Sequence, residues 1–157
     1  MPDNLIKAMA ENGGVIHINF GSTFLSEEIQ GKREAMSEHL TNWAAENGYS
    51  RRDSAFQAYA KQYATEIDAY ADIKTVADHI DHVVSLVGVD YVGFGSDYDG
   101  VGDSLPKGLK DVSTYPNLIE ELLNRGYSKA DIAKICYQNT FRVWNEVQRV
   151  ASELQNS

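Results

Sequence analysis

The chain has little cysteine, few basic residues and no long apolar run. A single cysteine among 157 residues excludes an intrachain disulfide and a metal site built from several cysteines. That residue, Cys136, lies in an apolar helical pattern, which predicts an unreactive thiol. The 14 Lys and Arg against 23 Asp and Glu give a formal net charge of −9, which argues against nucleic acid and anionic membranes as partners. No apolar run approaches the roughly 20 residues of a membrane span, so we expect no membrane segment in this chain.

What is present is the composition of one folded domain, with 43% hydrophobic and 10% aromatic residues. Apolar residues at helical spacing dominate the chain, and two short apolar runs predict strands at residues 15–20 and 91–94. Helices are predicted at residues 3–12, in two or three segments between 26 and 87, at 115–124, and from the capping box at Ser128 onward. Residues 152–157 are expected to fray.

The order of these elements, helix, strand, helices, strand, helices, predicts an α/β fold with parallel strands. Two strands do not make a stable sheet, because a parallel pair buried on both faces leaves two unpaired apolar edges. We therefore expect one partial domain over residues 1–157, completed by further strands or by an oligomer. Its predicted segments are a helix plus a strand (1–25), a helical insertion and a helix (26–88), a strand and an active-site loop (89–113), and closing helices (114–157).

The loop after the second predicted strand is the best candidate for a functional site. Its sequence is GFGSDYDGVGD, and α/β folds place their active sites at the carboxyl ends of strands. Gly93 and Gly95 allow a close approach of the backbone, and the Asp97 carboxylate can accept a proton or hold a substrate amine. Asp97 also suits a purely structural role in a turn or helix cap, and Asp99 is expected to be a turn residue.

The four histidines are expected to have structural roles. His79, Asp81 and His82 have spacings found in metal sites, yet they lie inside the helix that ends at residue 87 rather than at the tip of a strand. His17, within the first strand, is expected to be a hydrogen-bonded core residue. His39 is expected on the surface of a helix.

Four segments carry the most specific pattern of the chain: NGGVIHINF, ADHIDHVVSLVGVDYVGFGSDYDG, PKGLKDVSTYPNLIEELLNRGYS and NTFRVWNEV. Together they resemble the carboxyl-terminal part of the membrane (renal) dipeptidase family of zinc peptidases. The resemblance covers residues 2–20 and 72–147, and the helical segment between them resembles the variable insertion of bacterial members. It implies the carboxyl-terminal part of a metallo-dependent hydrolase (β/α)8 barrel, in which the two predicted strands are the seventh and eighth.

The resemblance also implies a dipeptide substrate and two zinc ions at the carboxyl ends of the barrel strands. The family's zinc ligands are an amino-terminal His-x-Asp, a bridging glutamate and two later histidines, and no position here matches them. We therefore expect the zinc ligands, and a substrate-binding histidine and arginine, outside this chain. Of the family's functional residues only the aspartate after the eighth strand has a match, at Asp97. It would contact the zinc-bound water and the substrate's amino group and would carry a proton to the leaving amine.

The sequence thus predicts part of a zinc dipeptidase that is inactive as this chain alone. Two other functions stay open. One is a non-enzymatic helical domain that forms a homodimer or higher oligomer through its strand edges. The other is a phosphatase that uses Asp97 as its nucleophile; it is disfavoured because Gly95 and Ser96 stand where those phosphatases have apolar residues.

Overall fold

The computed structural model describes residues 1–156 of the chain, which contain eight α-helices and two short strands. In chain order they are α1 (Asp3–Glu11), β1 (Ile16–Asn19), α2 (Ser22–Leu25), α3 (Glu27–Asn47), α4 (Ser54–Glu66), α5 (Ile73–Val87), β2 (Val92–Ser96), α6 (Tyr115–Asn124), α7 (Lys129–Ala133) and α8 (Asn139–Gln155). Short 3-10 turns precede β2 and α6, and a π-helical segment, Lys134–Gln138, joins α7 to α8. The predicted mostly helical chain with two strands is confirmed.

The two strands are parallel, as predicted, and their register places their carboxyl ends side by side. Ile16 pairs with Val92, Ile18 with Phe94 and Asn19 with Ser96. The extra residue on β2 makes a bulge, which turns the end of that strand. Within residues 1–156 no other strand pairs with the outer edge of β1 or of β2.

Helix α5 has a capping residue at its start, an apolar stripe along its buried side and a glycine at its end. The Asp72 carboxylate caps its first turn by accepting hydrogen bonds from the backbone N–H and the hydroxyl of Thr75, each at 2.9 Å. Its apolar stripe is buried, including Val76 and Ile80, and packs on the strands. Gly88 ends the helix with a φ of 95°, a conformation that favours glycine.

One main hydrophobic core lies between the sheet and the helices. Its buried members come from the strands and the residue after β1, from α5, α6, the loop after β2 and the π-helical segment; the largest are Phe20, Ile80, Leu109, Leu118, Leu122 and Ile135. Helices α3 and α4 form an antiparallel hairpin with a second, small core of Leu40, Ala44 and Phe56. Stacked aromatic rings line this hairpin, with Trp43 and Tyr59 at a centroid distance of 4.1 Å.

Two sequence expectations were wrong in this part of the molecule. The first strand is not buried on both faces, because His17 is exposed while Ile18 is buried. Residues 152–155 do not fray but continue α8, and Asn156 follows it; Ser157 lies outside the described residues. Among residues 1–156, no helix has both the length and the apolar character that crossing a membrane requires.

Candidate functional site

Asp97 lies directly after β2, where the chain leaves the strand in an unusual conformation. Ser96 and Asp97 have φ values of 47° and 62°, in the left-handed region that residues other than glycine seldom adopt. Such conformations cost free energy and concentrate at functional sites. The turn that they make leaves the Asp97 side chain exposed at the carboxyl end of the sheet.

Asn19, at the end of β1, holds the Asp97 carboxylate. The side-chain amide of Asn19 donates a hydrogen bond to Asp97 Oδ2 at 2.7 Å. Asn19 Oδ1 accepts a hydrogen bond from the backbone N–H of Gly21 at 2.7 Å, which fixes the amide so that its Nδ2 faces the carboxylate. Sequence reasoning missed Asn19, since only the pairing of Asn19 with Ser96 brings the two strand ends together.

Glycines allow this close arrangement, as the sequence predicted for Gly93 and Gly95. A Cβ atom on Gly93 would lie 2.8 Å from the ring of His17, and one on Gly95 would lie 2.9 Å from the carbonyl oxygen of Ile18. On the other side of the carboxylate, a Cβ atom on Gly100 would lie 2.5 Å from Asp97 Oδ1. The carboxylate is therefore confined between the Asn19 amide and the backbone of Gly100.

Four aromatic side chains pack together next to this site. Phe20 and Tyr98, the residues that follow Asn19 and Asp97, pack edge to face at a centroid distance of 6.0 Å. Phe94 and Tyr115 complete the group, with their rings stacked 5.5 Å apart. Burial raises the pKa of Tyr98 to about 12, so its phenol stays protonated at neutral pH. Asn19 and Asp97 are thus each followed in the chain by an aromatic residue that packs in or against the main core.

This arrangement suits two chemical tasks. An ionised carboxylate with one oxygen held by an amide can bind a substrate ammonium group through its free lone pairs, and it can accept and return a proton. Asp99 lies in the exposed turn at residues 98–100, as expected.

Each histidine has a hydrogen-bond partner within the protein. His17 contacts the Thr140 hydroxyl, His79 the Leu25 carbonyl oxygen and His82 the Asp3 carboxylate, each at 2.8 Å; His39 contacts the Tyr59 hydroxyl and stacks on Tyr63. His17 is therefore hydrogen-bonded as expected, although it is not a core residue. His39 is half-buried against the hairpin rather than free on a helix surface.

Asp81 belongs to an ion-pair network. Its two carboxylate oxygens accept hydrogen bonds, at 2.6 Å each, from Arg125 and from the Tyr127 hydroxyl. Arg125 also contacts Asp78 and Glu121, so it joins α5 to α6.

Three of the histidines, His17, His79 and His82, line one cavity of about 510 Å³ beside Asn19.

The described residues do not fit a metal site of their own. In residues 1–156 no three His, Cys, Asp or Glu side chains are grouped closely enough to hold a metal ion. Cys136 lies in the π-helical segment and is exposed as a residue, while desolvation raises the pKa of its thiol; its lack of reactivity stays a prediction. A metal used by this protein would need ligands from outside this part of the chain.

Comparison with known proteins connects this site to a family. The sequence profile of the membrane dipeptidases, Peptidase family M19, matches residues 1–157. Dipeptidase 3 of Homo sapiens is 46% identical over 83 residues, which is 53% of this chain and 17% of that protein. Dipeptidase 3 of Mus musculus is 46% identical over 81 residues, 52% of this chain and 16% of that protein. The chain thus spans about a sixth of the length of these curated relatives.

Two solved structures have the same fold. The probable dipeptidase PvdM from Pseudomonas aeruginosa superposes with a TM-score of 0.63 at 28% identity, over 95% of this chain and 41% of that one. A metallopeptidase from Rhodobacter sphaeroides, liganded with a phosphinate mimic of the dipeptide L-Ala-D-Ala, superposes with a TM-score of 0.60 at 25% identity, over 90% of this chain and 29% of that one.

These findings confirm the predicted fold class, an α/β chain whose two parallel strands form part of a (β/α)8 barrel of the metallo-dependent hydrolase type. They favour neither the oligomerising helical domain nor the phosphatase. Because the family profile matches along the whole sequence, the chain belongs to the membrane dipeptidase family, a family of metallo-dipeptidases.

Proposed function

We propose that this chain supplies the substrate-binding and proton-carrying carboxylate, Asp97, of a zinc-dependent dipeptidase. The observation that carries the proposal is the contact between Asn19 and Asp97 at 2.7 Å, which holds a carboxylate at the carboxyl end of two parallel strands. Active sites of (β/α)8 barrels lie at this end of the strands. Membership in a dipeptidase family supports the substrate class.

The substrate that fits is a short peptide with a free amino group. An ammonium group would form an ion pair with the exposed Asp97 carboxylate, whose Oδ2 is already oriented by Asn19. The ligand of the Rhodobacter sphaeroides relative, a mimic of L-Ala-D-Ala, supports a dipeptide with a D-residue at its carboxyl side. L-Ala-D-Ala is therefore the first substrate to assay.

The zinc ions of the proposed enzyme are expected to be held by residues outside this chain. Each of the four histidines contacts a protein group, and residues 1–156 contain no grouped set of metal ligands. We therefore assign to this chain only the tasks of binding the amino group and moving a proton at Asp97. It also follows that the isolated chain should be inactive.

The isolated chain gives the first test. Purified protein is incubated with zinc and L-Ala-D-Ala, and free D-alanine is measured with and without a chelator. The expected result is no release above the buffer control. Chelator-sensitive release would contradict the proposal, because it would require zinc ligands within this chain.

A hybrid gives the decisive test. The 157 residues replace the segment that they match in the Rhodobacter sphaeroides peptidase, so that the remainder of that chain completes the barrel. Circular dichroism and bound zinc establish that the hybrid is folded and loaded, and the unaltered peptidase is the positive control. The hybrid is expected to cleave dipeptides with a free amino terminus. A folded, zinc-loaded hybrid that cleaves none of a broad dipeptide panel would contradict the proposal.

A further inference from the structure

The helical hairpin contacts the loop that carries Asp97 through a second group of polar residues, away from the candidate site. We call Arg33, Tyr70, Asp103 and Lys110 the Tyr70 cluster. The Tyr70 hydroxyl donates a hydrogen bond to Asp103 Oδ2 at 2.9 Å, and the Lys110 ammonium lies 3.3 Å from Asp103 Oδ1. Arg33, on α3, donates to the carbonyl oxygen of Asp103 and to that of Ala69.

Two cations face the Tyr70 ring. Lys110 Nζ lies 4.0 Å from the ring centroid, and Arg33 Cζ lies 5.1 Å from it. Burial tends to raise the pKa of the Asp103 carboxyl, but the hydrogen bond from Tyr70 and the charge of Lys110 outweigh it, so the pKa is lowered. Asp103 is therefore charged at neutral pH and offsets one of the two positive charges.

Further hydrogen bonds attach the loop at residues 104–107 to Ser22 on α2 and to the segment that follows α4. Ser22, fully buried, donates from its N–H to the carbonyl oxygen of Ser104 at 2.8 Å, and its hydroxyl accepts from the N–H of Ala71 at 3.0 Å. The N–H of Lys107 donates to the carbonyl oxygen of Ala71 at 2.8 Å. The Lys107 side chain also pairs with Asp68. Residues 103–107 are thereby attached to the chain that leaves α4.

The segment between these attachments has no regular structure. Residues 97–104 form successive turns and bends, fixed at one end by β2 and Asn19 and at the other by the Tyr70 cluster. Gly102 within it has a φ of 55°, and its surroundings leave open space. Tyr98 and Val101 pack against the main core, whereas Asp99, Gly100 and Gly102 are exposed, so the local opening of these exposed residues depends on the attachments on either side of them.

We propose that the hairpin α3–α4 positions the Asp97 loop through the Tyr70 cluster, with Asp103 as the positioning residue. The hairpin lies between the two segments, 2–20 and 72–147, that carry the family resemblance; it supplies Arg33 to the cluster, whereas Asp103 and Lys110 lie in the second of these segments. The inference rests on the proposed function for the purpose that Asp97 serves. Its physical content, a coupling of the hairpin to the loop, does not depend on activity.

The test uses nuclear magnetic resonance on the 15N-labelled chain. The signal of the Asn19 side-chain amide reports on its contact with Asp97, and hydrogen exchange of the Gly100 amide, which donates to the Asp97 carbonyl oxygen, reports on the opening of residues 98–104. Two variants weaken the cluster, Tyr70→Phe, which removes only a hydroxyl group, and Asp103→Asn. Thr41→Val is the matched control, because it also removes one hydroxyl group, which accepts a hydrogen bond from Arg51 at 3.1 Å elsewhere on the same hairpin.

Both cluster variants are expected to shift the Asn19 side-chain signal and to speed exchange in residues 98–104 by about 3- to 10-fold, with the Tm nearly unchanged. Asp103→Glu, which keeps the charge, should restore part of the difference. The control should leave both readouts unchanged. If Tyr70→Phe and Asp103→Asn match Thr41→Val in both readouts, the coupling is absent and the inference is overturned, whatever the outcome of the activity assays.

Discussion

At the scale of single residues, the candidate site depends on how the Asp97 carboxylate is held. Left-handed backbone at Ser96 and Asp97 turns the side chain outward, Asn19 binds one of its oxygens, and Gly100 lies against the other. Each of these features can be removed by one substitution that leaves the core intact. The site therefore allows sharp tests at the level of individual atoms.

The first prediction concerns the Asn19 amide. Asn19→Ala removes the donor to Asp97 Oδ2, and a hydrogen bond to a charged group contributes about 1.5–3 kcal/mol. In the hybrid peptidase we expect kcat/KM for L-Ala-D-Ala to fall by about 10- to 100-fold. Asn47→Ala, which removes an exposed amide bonded to the Trp43 carbonyl oxygen, is the control. Equal kcat/KM values for the two variants would exclude the amide from the site's function.

A second prediction concerns the space beside Asp97. Gly100→Ala would place a methyl group 2.5 Å from Oδ1, so the carboxylate must leave the position in which Asn19 holds it. Dipeptide hydrolysis by the hybrid should fall about 10-fold or more while its circular dichroism spectrum stays the same. Gly31→Ala on α3 meets open space and should instead raise stability by about 0.5–1 kcal/mol. Full activity of Gly100→Ala would show that the carboxylate does not need its observed position.

The sequence predicted one half of this site. Asp97 could be found because a short apolar strand followed by glycines and aspartates predicts a loop at a strand's carboxyl end. Asn19 could not be found, since its role depends on the register of β1 against β2 and on the bulge beside Gly95, neither of which leaves a signal in local sequence. The role of Asp97 itself stays a prediction until an activity measurement is made.

At the scale of secondary-structure elements, helix ends explain much of what the sequence could predict. The periodic apolar residues of α5 and its terminal Gly88 made the helix predictable, whereas its Asp72 cap was found only in the structure. The π-helical segment Lys134–Gln138 was not predictable, because it interrupts an apolar pattern that a regular α-helix would fit equally well. It brings Asn139 to the base of β2, a placement that periodicity does not specify.

The cap of α5 gives a prediction for the dependence of stability on pH. Hydrogen bonds, chiefly from the backbone of Thr75, lower the pKa of Asp72 below its ordinary value. A carboxyl whose pKa is lower in the folded state stabilises the protein above the pKa of the unfolded chain, and this contribution is lost as the pH falls through the folded-state pKa. The loss is expected below about pH 4.

Asp72→Asn tests this linkage, because asparagine keeps an acceptor oxygen but cannot ionise. At pH 7 we expect the variant to be less stable by about 0.3–1 kcal/mol, since it lacks the charge at the helix amino terminus. The difference should shrink toward zero as the pH approaches 2. Chemical unfolding at several pH values measures it, with Asp99→Asn in the exposed turn as the control. A difference that stays constant with pH would contradict the assignment.

The join between α8 and β2 gives another prediction. The buried Asn139 amide donates to the carbonyl oxygens of Val89 at 2.7 Å and Val92 at 2.9 Å. Asn139→Ala leaves both acceptors without this donor and should lower the free energy of unfolding by about 1–3 kcal/mol. Asn156→Ala, at the exposed end of α8, should change it by less than about 0.5 kcal/mol. Denaturant unfolding distinguishes the two, and similar values would mean that Asn139 does not hold the helix to the strand.

At the scale of the whole molecule, the chain has the features of one part of a larger sheet. The outer edges of its two strands have no partner within residues 1–156, and α8 exposes large apolar side chains, including Phe141, Trp144 and Val147. The chain also spans only 41% of the PvdM structure. Completion of the barrel by further strands, and a homodimer, both stay predictions, as does the division of the chain into four segments.

Fold class was predictable because it depends on the order of elements and on motifs that are continuous in sequence. The positions of metal ligands could not be predicted from this sequence, since residues 1–156 contain no grouped ligands. In the proposed enzyme, this chain contributes a carboxylate at a strand end, and the remainder of the barrel contributes the metal.

The most direct test is the rate of D-alanine release from L-Ala-D-Ala by the zinc-loaded hybrid peptidase, with and without the substitution Asp97→Asn. If the carboxylate binds the amino group and carries a proton, the substitution should lower kcat by about 100-fold or more while the zinc content and the fold stay unchanged. An unchanged kcat in a folded, zinc-loaded Asp97→Asn hybrid would contradict the account and remove Asp97 from the mechanism.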